Sequence, residues 1–405
     1  MTRSTQVQED LDVPAGFSFS ALAAGIKISG KPDLALVKAV PGTVGAALFT
    51  TNHVAAAPVH VGRAHIVKSR GSIRAVIVNS GNANCATGNA GLRDCLAVCE
   101  GVARSLAIRP AEVFPSSTGI IGVPLPTKKI VNKLPMLASG SQCSANAFQK
   151  FAEAIMTTDT RRKIASAKLK VGKAEIRLLG VAKGAGMIHP QMATMLVYLF
   201  TDAVATPVQV KRFLKHACDT SLNCISIDGD TSTNDTVLLL ASGQARIRLS
   251  DPVISRKFSV ALGGVCASLA EQIVADGEGV QHVIRLHIVQ ARTNAEALSV
   301  ARTISHSLLV KTAWAGADPN WGRILAAVGR SGINVNPKKV SIFIGRQEVC
   351  RGGMVRKFSV VQAHHDLSQP TCDVRVALGR GKAKVRFLTS DLSAEYVHIN
   401  ADYST

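Results

Sequence analysis

Short apolar runs of strand length alternate with helix-length amphipathic segments along almost the whole of this chain. "IRAVIVNSG" (residues 73–81) ends in a Gly/Asn loop, and helical periodicity follows from about 91 to 106. "EVFPSSTGIIG" (112–122) reads as a strand broken into a turn of small residues, and "NAFQKFAEAIMTTDT" as a helix that stops near Thr157. "KIASAKLKV" and "AEIRLLGVAKG" read as two strands joined at Gly172. Residues 195–200 form a further strand, 207–221 a helix, "TVLLLASG" a strand and 252–275 a long helix. Such strands bury an apolar face only against another layer, so the alternation requires a layered α/β fold. A fresh strand–helix unit starts at 283–289. It continues with "TNAEALSVARTISHSLLVKTA", read as one helix capped by Thr293 or Asn294, and places a domain boundary near 280–290. The remainder reads mostly as strands, through the terminal "AEYVHINADYST".

Composition narrows the class. With 47% hydrophobic and 18% charged residues, the 405-residue chain has the balance of a globular protein with a substantial core. No uninterrupted apolar run approaches the roughly 20 residues that cross a bilayer. The N-terminus carries acidic residues where a signal peptide needs a basic start, so a cytoplasmic location and no membrane contact are expected. Nine scattered Cys without a C-x-x-C fit neither a disulfide framework nor a zinc site, and Cys95 and Cys99 read as buried thiols on one helix. The formal charge of +20 admits nucleic acid as a partner, but the basic residues are dispersed and aromatics make up only 4%, leaving few stacking platforms. Asp228, Asp230 and Asn234 in "CISIDGDTSTNDTV" alternate like a calcium loop, yet the twelfth position holds Leu239. No metal is expected there; a polar turn that feeds a buried strand, or lines a cleft, is.

The stretch "VAKGAGMIHPQMATMLVYLF" (181–200) leads a glycine-rich loop up to Ala193-Thr194 and an apolar strand. Taken alone it is ordinary loop punctuation. It gains chemical meaning if Thr194 becomes a chain terminus, because its own α-amine, with a pKa near 7.7–8.0, then serves as the local base for its hydroxyl. Making that terminus requires attack of the Thr194 hydroxyl on the Ala193 carbonyl, an N-to-O acyl shift and hydrolysis of the ester. In "SSTGIIG", which read alone is a plain Ser/Thr/Gly turn, Thr118 and Gly119 set a small hydroxyl beside a glycine amide, the pair of donors an oxyanion hole needs. Glu278 stands between two glycines in "ADGEGV", and "DPNWGRI" reads as a turn with Trp321 as a packing anchor.

Together, "VNSGNANCATG", "SSTGIIG", "AIMTTDT", "GVAKGAGMIHPQMATML", "SIDGDTSTNDT", "DGEG", "DPNWGRI" and "YVHINADYST" resemble the ornithine acetyltransferase family, the glutamate N-acetyltransferases of arginine biosynthesis. The matching motifs lie in order over nearly the whole chain. The resemblance implies an αββα-type sandwich with a second, smaller α/β domain (a DmpA/ornithine-acetyltransferase-like fold). It divides the chain into a catalytic domain at 1–280, a smaller α/β domain at 281–385 and a C-terminal segment, 386–405, that returns to the active site. It implies self-cleavage between Ala193 and Thr194, Thr194 as nucleophile, and Thr118 and Gly119 as the oxyanion hole. Substrate contacts are implied from Thr157, Lys183, Thr194, Glu278, Asn400 and Thr405, with the adjoining Thr158 as the alternative to Thr157. The family commonly has a serine where Ala185 stands, and a small residue and an asparagine where His189 and Gln191 stand. His189 reads as a solvent-facing loop residue rather than a base.

The implied reaction is a ping-pong transfer of acetyl from N-acetylornithine to glutamate through an acetyl ester on Thr194, releasing ornithine and N-acetylglutamate. The implied assembly is an α2β2 heterotetramer of the two cleaved chains. No cofactor is expected, and the sequence leaves open whether acetyl-CoA also serves as donor. Two rival readings stand beside it. An N-terminal-nucleophile aminopeptidase or amidohydrolase would release free acetate from acetylornithine without glutamate. A basic nucleic-acid-binding protein would show retention on DNA that falls steeply with salt.

Overall fold

A computed structural model of the chain describes residues 11–189 and 195–402. In chain order its first ten strands are β1 (Phe17–Leu22), β2 (Leu34–Ala39), β3 (Val44–Phe49), β4 (Ala75–Asn82), β5 (Val113–Ile120), β6 (Lys163–Val171), β7 (Ala174–Lys183), β8 (Leu196–Thr201), β9 (Ile225–Ser226) and β10 (Thr236–Ala241). One sheet has the order β1-β2-β4-β5 and a second β3-β10-β8-β7-β6. The helices between them are α1 (Ala57–Lys68), α2 (Gly88–Leu106), α3 (Thr127–Ser139), α4 (Ala145–Ala154), α5 (Pro207–Asp219) and α6 (Pro252–Ala275).

The layering follows from the two-residue period of the strands. In β8, Leu196, Tyr198 and Phe200 point between the two sheets, while Val197 and Leu199 point to the outer face; β10 divides Leu238 and Leu240 from Val237 and Leu239 in the same way. Between the sheets these residues meet Phe17 and Phe19 of β1, Val76 and Val78 of β4, and Phe148 and Phe151 of α4. The outer face of the second sheet is covered by Phe213 and Leu214 of α5 and Phe258, Leu262, Leu269 and Ile273 of α6. The outer face of the first is covered by α2 and α3, where Cys95 and Cys99 lie buried beside Val98, Val102 and Leu134. The result is an αββα sandwich. By length and composition α6 is the one helix among the described residues able to cross a membrane, but here its apolar side packs on β6 and β7.

The remaining strands are β11 (Val283–Ala291), β12 (Ser341–Ile344), β13 (Gln347–Arg351), β14 (Met354–Val355), β15 (Thr371–Ala377) and β16 (Ala383–Ser390), and the remaining helices α7 (Asn294–Ser305), α8 (Leu308–Ala315), α9 (Trp321–Gly329), α10 (Val360–Leu367) and α11 (Ala394–Asp402). The strands form a seven-stranded sheet in the order β14-β13-β12-β15-β11-β16-β9. Ile284, Leu286 and Ile288 of β11 meet Val300 and Ile304 of α7 and the buried Trp314 in a separate core. Because β9 lies at residues 225–226, the sandwich segment itself supplies the last strand of this sheet.

Two sequence readings change. The single helix read after Thr293 is two: α7, capped by the Thr293 hydroxyl, ends at His306, and Ser307 in an extended conformation restarts the chain as α8. Apolar periodicity carries across such a break without registering it. The terminal "AEYVHINAD" forms α11, not a strand; Ser393 Oγ accepts the Tyr396 amide, a cap that outweighs the short apolar/polar alternation.

Candidate active site

β4 and β5 run parallel, with Ser80 opposite Thr118 and Gly81 opposite Gly119. Gly119 has φ +130°, and a Cβ on it would lie 2.5 Å from Asn82 N and closer still to the Gly81 carbonyl carbon, so only glycine fits. Polar side chains hold this strand end. Ser117 Oγ donates to Asn79 Oδ1 at 2.6 Å, and Asn234 Nδ2 donates to the carbonyls of Ser117 (2.9 Å) and Ala83 (2.7 Å). The Asn of the calcium-like stretch is thus a clamp on the Thr-Gly turn. Ser80 Oγ donates to Ala154 O at 2.5 Å, bringing the segment after α4, with Thr157, to the same place.

Lys183 ends β7 and points into this turn. Its ammonium donates to Thr157 Oγ1 at 2.7 Å and Thr118 Oγ1 at 3.3 Å. Of the adjoining threonines, it is Thr157 whose hydroxyl meets Lys183. Burial pushes the Lys183 amine below the ordinary lysine value; Asp159, 4.0 Å away, opposes that shift. Asp159 is buried and accepts the amides of Thr157 (3.0 Å) and Gly184 (2.7 Å), joining the α4 segment to the end of β7. Burial alone would raise its pKa, but Lys183 and Lys163 outweigh it and hold the carboxyl at about 2.

Lys163 is fully buried between Asp159 and Asp276, 2.5 Å from each. Asp276 also accepts the Thr160 amide at 3.1 Å and the Thr160 hydroxyl. Removing the cation strands two buried carboxylates, so Lys163→Met should lower stability by about 3–5 kcal/mol in denaturant unfolding. An unchanged midpoint would show that the network is not what holds Thr157 and Lys183 together.

Glu278 approaches from the end of α6. Its amide donates to Ala185 O at 2.9 Å, and its carboxylate lies over Gly186, where a Cβ would come within 2.6 Å of Oε2. Asn400 Nδ2 on α11 donates to the same Oε2 at 3.1 Å, and the Glu278 charge reaches Lys183. Gly279 admits α11 because a Cβ there would sit 2.8 Å from Tyr396 Cα. Asp228 fixes the loop that follows: its carboxylate accepts the amides of Met187 (2.5 Å), Ile188 (2.8 Å) and Asp230 (3.1 Å), while burial raises its pKa to about 6.

Thr118, Gly119, Thr157, Lys183, Glu278 and Asn400 therefore converge, from five separate segments of the chain. Ala193, Thr194 and Thr405 lie outside the described residues. Among the described residues, no three His, Cys, Asp or Glu side chains cluster as a metal site would. Asp159, Lys163, Asp276 and Asn234 were missed as a support for the site, although Asp159, Asp276 and Asn234 sit inside the quoted motifs; their pairing across 113 or 117 residues has no local signature. Lys27 was missed altogether. Its side chain packs near Gly81, its ammonium donates to Pro32 O at 3.0 Å, and the loop carrying it hangs on the buried Asp33, which accepts the amides of Ala24, Ile26 and Lys27. Burial brings Lys27 down to about 8, with the Lys183 charge adding to the shift against Asp33. His189 is also corrected: it is half-buried, with its ring centroid 4.6 Å from that of His306.

An αββα sandwich that gathers a Thr-Gly turn, a buried lysine and a glutamate–asparagine pair has the form of an α/β-sandwich enzyme. The chain belongs to the ArgJ family, whose model matches residues 18–405. It is similar to the Arginine biosynthesis bifunctional protein ArgJ of Methylococcus capsulatus, 44% identical over 395 residues and covering 96% of both chains. The protein of the same name from Thermosynechococcus vestitus is 38% identical over 422 residues, covering 100% of both. A solved ornithine acetyltransferase from Mycobacterium tuberculosis, complexed with ornithine, is 36% identical with a TM-score of 0.40, covering 45% of this chain and 95% of that one.

Proposed function

We propose that this protein is the acetyltransferase of arginine biosynthesis that moves acetyl from N-acetylornithine to glutamate, after cutting itself between Ala193 and Thr194. The observation that carries the reading is the contact of Lys183 with both Thr118 and Thr157 at the end of the strand leading to the cleavage loop, in a chain of the ArgJ family. Thr194 attacks the acetyl carbonyl while its α-amine takes the hydroxyl proton. The Thr118 hydroxyl and Gly119 amide donate to the oxyanion. Ornithine leaves with its amine protonated, and the acetyl group stays as an ester on Thr194. Glutamate then attacks that ester through its α-amine and departs as N-acetylglutamate, regenerating the hydroxyl.

The charges suit both substrates. Lys183 pairs with the α-carboxylate that ornithine and glutamate share, and Glu278, oriented by Asn400, attracts the ornithine side-chain ammonium. Glutamate brings a second carboxylate, for which Lys27 is the second cation near the Thr-Gly turn. Lys27→Met should raise the glutamate KM roughly tenfold while changing the acetylornithine KM little. Equal effects on both would remove Lys27 from acceptor recognition. The relatives are named bifunctional, which leaves room for a second activity, and acetyl-CoA as a further acetyl donor for glutamate is the one we propose. A cytoplasmic α2β2 assembly of the two fragments completes the reading.

Intact-mass spectrometry tests it directly. Purified protein should give fragments of residues 1–193 and 194–405, and brief exposure to acetylornithine should add one acetyl group to the second. Release of acetate without glutamate, with no lasting adduct, would mark a hydrolase instead.

A further inference from the structure

The loop entering the cleavage motif is held by contacts that the transfer chemistry does not use. His189 Nδ1 faces His306 Nε2 at 3.1 Å, with the two rings tilted by 43°. His306 Nε2 is also 3.1 Å from Ser226 Oγ, and Ser226 Oγ donates to Ile188 O at 3.0 Å. Ile227 donates its amide to the same Ile188 carbonyl at 2.9 Å. Residues 187–189 are thus gripped from three directions: by Asp228 on their amides, by β9 and Ile227 on a carbonyl, and by His306 on the His189 ring.

Two imidazoles in nitrogen-to-nitrogen contact attract only while at least one is neutral, so that one nitrogen donates and the other accepts. The surroundings favour the neutral forms. Burial lowers both rings, His306 to about 4, and Arg302 acts on both in the same direction. Lys311 and Arg330 add to the effect on His306, while Asp230 opposes it at His189. Since Ser226 Oγ gives its hydrogen to Ile188 O, the His306 Nε2–H is the donor, shared between Ser226 Oγ and a neutral His189 Nδ1, both accepting.

We infer that His189 and His306 form a positioning pair for self-cleavage, fastening the approach to the Ala193–Thr194 bond onto the smaller α/β unit. His189 is five residues before Thr194, within about 18 Å of extended chain, and His306 closes α7, whose Val300 and Ile304 belong to the core of that unit. The second unit thereby contributes to cleavage without touching the reacting atoms. This rests on the self-cleavage reading above.

The test uses full-length chain made by cell-free translation, with cleavage followed at pH 7.5 in the wild type, His189→Ala, His306→Ala, the double variant and His306→Asn. Each alanine variant should cleave about tenfold more slowly, with the double variant no more than about twofold worse than either, because both remove one interaction. His306→Asn keeps a donor and acceptor and should restore cleavage to within about threefold. Transferase turnover per cleaved molecule should stay within about twofold throughout. Wild-type cleavage rates in the single variants, multiplied losses in the double variant, or no rescue by asparagine would each overturn the pairing. Thr194→Ala, run alongside, separates the two ideas: cleavage in that variant would overturn the self-cleavage reading whatever the histidines do.

Discussion

Thr194→Ala should leave the 405-residue chain uncut and, in the proposed mechanism, lower acetyl transfer by at least ~10,000-fold, the scale seen when a covalent nucleophile is deleted. Two independent losses coincide in this variant. Without the hydroxyl there is no attack on the Ala193 carbonyl, so no new terminus forms. Without the terminus and hydroxyl there is neither base nor acceptor for the acetyl group. The supporting groups need not move: the buried Lys163 ties Asp159 to Asp276, and none of the three lies near position 194 in sequence. The variant should therefore fold and still bind ornithine, which calorimetry would register. Recovery of a 194–405 fragment from it would dismiss Thr194 as the agent of its own release.

The second large effect is expected at the oxyanion turn. Gly119→Ala puts a methyl group against the Gly81–Asn82 backbone at a φ of +130°, and the strand end must shift to admit it. If Gly119 serves the oxyanion as proposed, its displaced amide no longer reaches the developing charge, and losing one such donor costs about 100- to 1,000-fold in kcat. KM for acetylornithine should change less, because the methyl group strikes the Gly81–Asn82 backbone and not the side chains of Lys183 and Glu278 proposed to hold the substrate. Thr118→Val provides a check that leaves the backbone alone: it deletes the hydroxyl and the contact with Lys183. If both variants turned over at the wild-type rate, the oxyanion would have to be stabilised by other groups.

Much of the sandwich is legible in the sequence because its strands are short and alternate cleanly. The period of two in 196–200 and 236–240 separates the inter-sheet face from the helix-covered face residue by residue. The site residues come from the sequence by a different route: Thr118 and Gly119 read as a pair of donors in their own motif, whereas Lys183 and Glu278 are implied only by the resemblance of their glycine-rich motifs to a known family. The support behind them is not. Lys163 reads as the first residue of a basic strand, yet it is buried between carboxylates 4 and 113 residues away. Lys27 lies in a loop of unremarkable composition and reaches the turn only because Asp33 folds that loop back. His189 points to a partner that a single position cannot reveal. Contacts between distant segments leave no periodic trace, and that is where local reading stops.

The order of the second sheet has a consequence for how such a molecule is made. β3, β7 and β6 precede the bond between Ala193 and Thr194, while β8 and β10 follow it, and the two sets interleave: β3 pairs with β10 through six residue pairs and β7 with β8 through six more. Neither half owns the whole of this sheet. Pieces synthesised apart would each expose bare strand edges, the surface most prone to aggregation. The proposed scission would therefore have to follow assembly of the whole, and the weave itself would then keep the halves together, so that a missing peptide bond would go unnoticed by everything except the residue it sets free.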